Sequence, residues 1–420
     1  MLYNSYLRMS CRLGGVAAAA LKQARSPARL QHYTTARGPQ EVTAHDAGSR
    51  LEVRHPRWPH SLRLAYPWLR DHCRCAHCYN HLTAQRRFDP SHMQLNIRPA
   101  RVSATPEGLQ LLWPDGHKSA YEYKFLWQNT YEGRRTSHKA PQQLWTARTF
   151  PDPDLNSARV YILQVSLTEL NDPSNGGVKK LVAAIIKYGF AFISEVPADL
   201  ESTRSAVEKV CVVQRTFFGE MWGFEGITIQ HQDTAYTSEF IGAHTDSTYF
   251  SQACRLQVFH CLKAASEGGE NLLVDGFSVA KQFKDKHPEG YAYLSTQAFP
   301  AEFLEEGRHY SCLDTVFRHN PETGGLTQFR YNIYDRAPVS SVPMEKMEQF
   351  YLHFFNLTKM VQNPNNEQWL KLGPGKVLLI DNWRVMHGRQ SFKGPRVMTG
   401  CYLANDDFTS SARVLGVQLE

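Results

Sequence analysis

Three residues, His244, Asp246 and His387, constrain this chain more than anything else in its 420 residues. They sit in the segments GAHTDSTYF and DNWRVMHGRQSF, and Arg396 follows the second histidine. Two neutral imidazoles and one carboxylate can hold one face of a ferrous ion and leave the opposite face open. An open face admits a chelating cosubstrate and O2, so the pattern points to an oxygenase. On a strand, residues i and i+2 point the same way. The spacing therefore predicts that His244 and Asp246 reach one metal from one strand.

Context strengthens the pattern. His387 follows the apolar run KVLLID, and Arg396 opens the next predicted strand. A guanidinium there would pair bidentately with a carboxylate. Arg389, in HGR, competes for that role or serves the structure. Asn271, after the turn EGGEN, is placed to add a second hydrogen bond to the same carboxylate or to satisfy the backbone. The order H-x-D, long gap, H, R resembles that of the Fe(II)- and 2-oxoglutarate-dependent oxygenases.

The chain reads as mainly β with flanking helices. Residues 42–130 suggest a small β-rich domain, with strands at LEVRH, LRLAYPWLRD, MQLNIRP, LQLLWPDG and SAYEYKFLW. A Pro-, Gln- and Thr-rich linker covers 131–158. From 159 to 420, helices are expected at DPSNGGVKKLVAAIIKYG, LESTRSAVEKVCVVQRTFFGEMW and EKMEQFYLHFFNLTKMV. Strands are expected at FAFISEVP, CRLQVFHCL, NLLVDGF, GLTQFRYNIY, KVLLIDNW and RVMTGCYLA. Such non-local strands flanked by helices predict a double-stranded β-helix, or jelly roll.

A net charge of +7 invites a nucleic-acid reading. Most of the excess lies in the first forty residues, at Arg8, Arg12, Lys22, Arg25, Arg29 and Arg37, with no acid before Glu41. The rest is nearly neutral, so no nucleic-acid partner is expected. Residues 1–40 read as an Arg-rich, acid-poor mitochondrial transit peptide, which predicts the matrix. No apolar run approaches the ~18–20 residues of a membrane span, and no membrane partner is expected.

Cysteine usage predicts a reducing compartment with one metal cluster, because three of the nine cysteines crowd into WLRDHCRCAHCYN. Cys73, Cys75 and Cys78 offer three thiolates to a tetrahedral, structural zinc. His117, in the turn WPDGH, is the chosen fourth ligand; His72, His77 and His81 are local rivals.

Four aromatics cluster in sequence around the metal residues. A helix through FFGEMW would put Phe218 and Trp222 on one face. Tyr236 precedes His244, and Tyr402 follows Arg396. Converging, they would cage a quaternary ammonium; taken singly, each also reads as a core aromatic.

The segments WLRDHC, WPDGH, HTD, VFHCLK, LLVDGF, LIDNWRVMHGR and GCYL, in this order, resemble the γ-butyrobetaine and trimethyllysine dioxygenase family over nearly the whole chain after residue 40. The resemblance implies a zinc-binding N-terminal domain, a catalytic jelly roll and hydroxylation of a trimethylammonium amino acid or betaine. It implies Fe(II), 2-oxoglutarate, ascorbate to keep the iron ferrous, O2, and a homodimer. Phe218 stands where the family usually has Tyr, which keeps the ring and drops a hydroxyl.

The trimethyllysine branch is favoured by the presequence and by Asp233, which would pair with an α-ammonium that butyrobetaine lacks. Asn332, near Tyr334 and Arg336, would hold the substrate carboxylate. Hydroxylation at C-3, the first step of carnitine biosynthesis, is the implied reaction. The rivals are γ-butyrobetaine hydroxylation, a non-catalytic reader of trimethyllysine, and a zinc-dependent nucleic-acid module in residues 42–130.

Overall fold

The computed structural model describes residues 32–33, 42–136, 142–150, 163–174, 176–225 and 234–417. The proposed transit peptide therefore lies almost wholly outside the described residues. The chain divides into two compact units, Met1–Ser137 and His138–Glu420.

The first unit holds two antiparallel sheets. One runs through His32–Tyr33, Thr43–Asp46, Arg50–Arg54 and Leu62–Ala65; the other through Arg101–Ala104, Gly108–Leu112 and Lys118–Glu122. Strict alternation sets their faces. Leu51 and Val53 turn inward between exposed Arg50, Glu52 and Arg54, and the period-2 pleat makes that one face. Two stretches expected to be whole strands change partway. Pro67, at the first turn, starts the helix Tyr66–Asp71 inside LRLAYPWLRD. Tyr123–Asn129 is helical after the strand Lys118–Glu122. MQLNIRP forms turns, not a strand.

The second unit is a jelly roll. Its large sheet orders Gln164–Ser166, Phe190–Ser194, Lys376–Asp381, Leu256–Lys263, Val397–Leu403 and Val213–Gln214, and Met221–Glu225 also pairs with Val397–Leu403. The smaller sheet orders Ile241–His244, Val385–Arg389, Asn271–Asp275 and Gln368–Leu370. Between Ile241 and Leu403 the chain passes back and forth between these two sheets, with Asn271–Asp275 and Gln368–Leu370 following one another in the smaller, which is the winding of a double-stranded β-helix.

Burial explains the outer layer. Helix Gly176–Tyr188 buries Val178, Leu181, Val182, Ile185 and Ile186 on the core that includes Leu378 and Ile380. Each such side chain contributes about 1.5–3 kcal/mol. The helix expected from Leu200 to Trp222 ends at Glu208. Beyond it, Val213–Gln214 pairs with Leu403 and Tyr402 as a short strand, and Gly219 adopts φ +93° in a turn. Three β-branched valines and that glycine favour extended backbone and a turn over helix. Helix Met347–Val361 appears close to the expected span.

One buried ion pair pins several segments. Arg384 donates from Nε and Nη2 to both oxygens of Asp275, at 3.0 and 2.9 Å. It also donates to the carbonyls of Lys187 and Gln143. Asp275 accepts from the Trp145 amide and caps the helix Gly276–Lys286 through the Phe277 amide. Both side chains are essentially inaccessible to water. Asp275→Ala should cost about 3–5 kcal/mol, because it strands a buried guanidinium. Asp275→Leu with Arg384→Met should cost much less; urea denaturation of the two variants checks the ordering.

Candidate active site

The two histidines meet across strands, not along one. Antiparallel register sets His244 opposite His387, with ring centroids 4.4 Å apart. The strand ends at His244, so Asp246 does not share its strand as the spacing suggested. Asp246 instead reaches the cluster from a turn that continues through Ser247 at φ +61°. Asn382 holds that turn. Its Oδ1 accepts from the Asp246 amide at 2.8 Å, and its Nδ2 donates to the Asp246 carbonyl at 3.0 Å.

Orientation of the carboxylate follows from two donors. Gln257 Nε2 and the Tyr402 hydroxyl both donate to Asp246 Oδ2. Oδ1 is left facing His244 Nε2 at 3.1 Å and His387 Nε2 at 3.7 Å. The Gly242 carbonyl lies 2.9 Å from His244 Nδ1. Such a bond places the proton on Nδ1 and leaves the Nε2 lone pair for a metal.

Burial pushes the His387 pKa down to about 3, with His244 adding to the effect, so this imidazole is neutral. Burial raises the Asp246 pKa, but His387, His244 and the Gln257 hydrogen bond outweigh it and hold the group ionised. Burial opposes a proton on His244, and the Asp246 interaction overrides it upward. The three ligand atoms lie within 4.8 Å of one another. This donor set and spacing fit a ferrous ion bound on one face.

The cluster opens into a cavity of about 210 Å³, a volume suited to small molecules. Arg396 lines it and is 4% exposed. No carboxylate pairs with it among the described residues, and burial pushes its pKa down to about 10. A guanidinium buried this way calls for an anionic ligand. Asn271, also lining the cavity, has a buried Oδ1 with no hydrogen-bond partner. Arg389 is spent elsewhere. It donates to the carbonyls of Ala235, Thr237 and Glu239 at 2.7–2.9 Å, fixing the segment that carries Tyr236.

Phe218, Trp222, Tyr236 and Tyr402 all line this cavity. Tyr402 lies 6.3 Å from both Phe218 and Trp222, ring centre to ring centre. The helical placement of Phe218 and Trp222 is overturned. Phe218 sits in the turn Thr216–Gly219, and Trp222 lies on the strand Met221–Glu225 opposite Gly400. A Cβ at Gly400 would fall 2.4 Å from the Trp222 ring and 1.9 Å from the Val258 carbonyl, so glycine is required there.

Asp233 lies outside the described residues. Asn332 lines the cavity, but its Oδ1 accepts from the Tyr334 and Asp335 amides and its Nδ2 donates to Asp335. Arg336 lines a separate small cavity. The sequence reading missed Gln257, Asn382 and Asp335. Gln257 had a signal: it is the one amide in the buried strand LQVFHCLK.

In the first unit, Cys73, Cys75, Cys78 and His117 converge. His117 Nε2 stands 3.3, 3.7 and 3.6 Å from the three sulfurs in that order. Zinc bonds of about 2.3 Å to sulfur and 2.1 Å to nitrogen give tetrahedral edges of about 3.6 Å, so the set fits zinc. The rivals are occupied or apart. His72 bonds the Trp68 carbonyl, His81 bonds the Arg74 carbonyl, and the His77 ring is 6.2 Å from His117. Arg70 lies 3.4 Å from Cys78, whose pKa burial raises to about 11.

Residues 152–402 match the family described as "Taurine catabolism dioxygenase TauD, TfdA family". Residues 42–127 match "Gamma-butyrobetaine hydroxylase-like, N-terminal". The chain is 39% identical over 361 residues to "Trimethyllysine dioxygenase, mitochondrial" of Homo sapiens, covering 85% of this chain and 84% of that one. The chain belongs to the trimethyllysine dioxygenase family. The Gallus gallus member is 38% identical over 375 residues, covering 88% and 87%. The "Trimethyllysine dioxygenase" of Meyerozyma guilliermondii is 33% identical over 367 residues, covering 83% and 90%. Membership of the trimethyllysine dioxygenase family makes this protein a dioxygenase.

Arg389→Ala removes three hydrogen bonds, each worth about 0.5–1.5 kcal/mol or more for a charged donor. The expected outcome is faster amide deuterium exchange in residues 234–239 with Fe(II) binding unchanged, read by mass spectrometry and calorimetry.

Proposed function

We propose that this protein hydroxylates Nε-trimethyllysine at C-3, the first step of carnitine biosynthesis, using O2 and 2-oxoglutarate and releasing succinate and CO2. One observation carries the reading: an aromatic arc, a buried guanidinium with no carboxylate partner among the described residues and a two-histidine, one-carboxylate set face the same cavity. The relatives' printed names supply the substrate.

His244, Asp246 and His387 would hold Fe(II), which supplies O2 activation coupled to decarboxylation of the oxo-acid. Arg396 would bind the distal carboxylate of 2-oxoglutarate, with Asn271 adding a hydrogen bond. Phe218, Trp222, Tyr236 and Tyr402 would hold the trimethylammonium group by their ring faces. Asp233 would pair with the α-ammonium and Asn332 with the carboxylate. Fixing both ends decides which carbon faces the metal, which is catalysis by positioning. Phe259 and Met398 add apolar walls that keep water from the reacting carbon. Ascorbate would keep the iron ferrous.

Cys73, Cys75, Cys78 and His117 would hold a structural zinc, since all four tetrahedral positions are filled. Mitochondrial relatives and the basic leader support a matrix location. A homodimer is proposed on family resemblance.

Purified protein lacking residues 1–40, given Fe(II), 2-oxoglutarate and ascorbate, should release succinate coupled to a +16 Da product of trimethyllysine, followed by mass spectrometry. Turnover of γ-butyrobetaine alone would overturn the substrate. Silence with both, with trimethyllysine still bound, would favour a non-catalytic reader. Asp233→Asn should raise KM for trimethyllysine more than for butyrobetaine. Elemental analysis should find one zinc per chain, lost in Cys78→Ser together with part of the melting transition.

A further inference from the structure

The hairpin Ala298–Glu305 and Arg308–Thr315 belongs to neither jelly-roll sheet. A lone two-stranded hairpin is marginal in water, so its attachments matter. Its base is tied to the segment after Asn332. The Glu302 amide donates to the Asp335 carbonyl at 2.8 Å, the Ala337 amide donates to the Pro300 carbonyl at 3.2 Å, and Ala301 bridges Arg336. Farther along the hairpin, the attachment is aromatic. Phe303 and Tyr310 face each other across the strands. Tyr310 stacks on Phe217 at 4.9 Å, and Phe303 lies 4.7 Å from the same ring.

Phe217 neighbours Phe218 on the turn closed by reciprocal Thr216–Gly219 hydrogen bonds of 2.9 and 3.0 Å. The clasp therefore grips the turn that carries a cage residue. Phe303 itself is 5% exposed, while its neighbour Leu304 is 54% exposed. The buried ring lines the cavity with Trp222, Tyr402 and the metal-binding triad. It meets Phe218 edge to face at 6.0 Å. The rings Phe303, Phe218, Tyr402 and Trp222 thus form one arc, with successive centroids 6.0, 6.3 and 6.3 Å apart.

We propose that Phe303 is a further wall of the trimethylammonium cage, delivered by the hairpin, and that it sets the preference for a cationic over a neutral side-chain end. This rests on the trimethyllysine reading. A ring quadrupole attracts a cation through its face, and an apolar contact of the same size does not. The hairpin's ties on both sides of the cavity hold that ring in place when the ligand enters.

The test compares trimethyllysine with its neutral isostere, in which a quaternary carbon replaces the nitrogen. Phe303→Leu should raise KM for trimethyllysine roughly tenfold. The inhibition constant of the isostere, kcat and KM for 2-oxoglutarate should each move less than about twofold, since those contacts carry no cation at this ring. Fluorinated phenylalanines at position 303 keep the volume and weaken the quadrupole, so affinity for trimethyllysine should fall with each fluorine even if the leucine variant folds poorly. An equal loss for cation and isostere would reduce Phe303 to apolar packing and overturn the proposal, as would no change in either. Calorimetric binding of trimethyllysine separates the two levels. Binding that responds to position 303 without turnover would overturn the hydroxylase and keep the cage. Absence of binding to the wild-type protein would overturn both.

Discussion

The side chain of Asn382 fixes the one peptide on which the metal site depends. It is essentially buried and makes a paired contact with the backbone of Asp246, then reaches the Cys254 carbonyl with the same nitrogen. Asn382 follows a strand of the large sheet, whereas Asp246 follows a strand of the small one. The amide thus joins the two layers where they open. Without it, a turn with a left-handed Ser247 would have no reason to aim its carboxylate at two histidines. Gln257 and Tyr402 then choose which oxygen is presented. A buried turn becomes a rigid metal-binding edge through the side-chain amide of Asn382, which is neutral and tolerates burial because its oxygen and nitrogen are both bonded.

Much of this arrangement was legible in the sequence, and the losses have physical causes. That His244, Asp246 and His387 would meet, and that Cys73, Cys75, Cys78 and His117 would meet, was readable because metal chemistry demands those residue types. The strand positions of the catalytic unit were readable because buried strands are continuous apolar runs. Local geometry was less accessible. FFGEMW has helical spacing, yet Gly219 turns the chain and Trp222 finds a ladder partner in Val397–Leu403, which cannot be seen from the segment itself. Asp246 sits two residues from His244 as a strand would require, but it reaches the metal through Asn382, far along the chain. The hairpin of Phe303 had no clear period because its outer face is solvent-exposed and its inner face contributes only scattered aromatics.

The two metal-binding sets illustrate opposite uses of burial. In the cysteine set, all four donors are protein atoms, so a bound metal would have its coordination complete and the gain would be folding energy. In the histidine set, only one face is protein, and the cavity beyond is lined by Arg396, which no carboxylate pairs with among the described residues, and by aromatic rings. A buried guanidinium of that kind calls for an anionic ligand. Arg396 lies just before the strand Val397–Leu403 and Tyr402 lies on it, so one backbone segment carries both the buried guanidinium and one ring of the arc.

That strand is the last among the described residues, and it lies in the interior of the large sheet, between Leu256–Lys263 and the pair Val213–Gln214 and Met221–Glu225. Its partners in that sheet come from far earlier in the chain. Contacts of such sequence separation form slowly. Arg396, Tyr402 and the glycine seat for Trp222 all reach the chamber through such contacts. The pairings that complete the large sheet are also the ones that complete the oxygen-handling chamber.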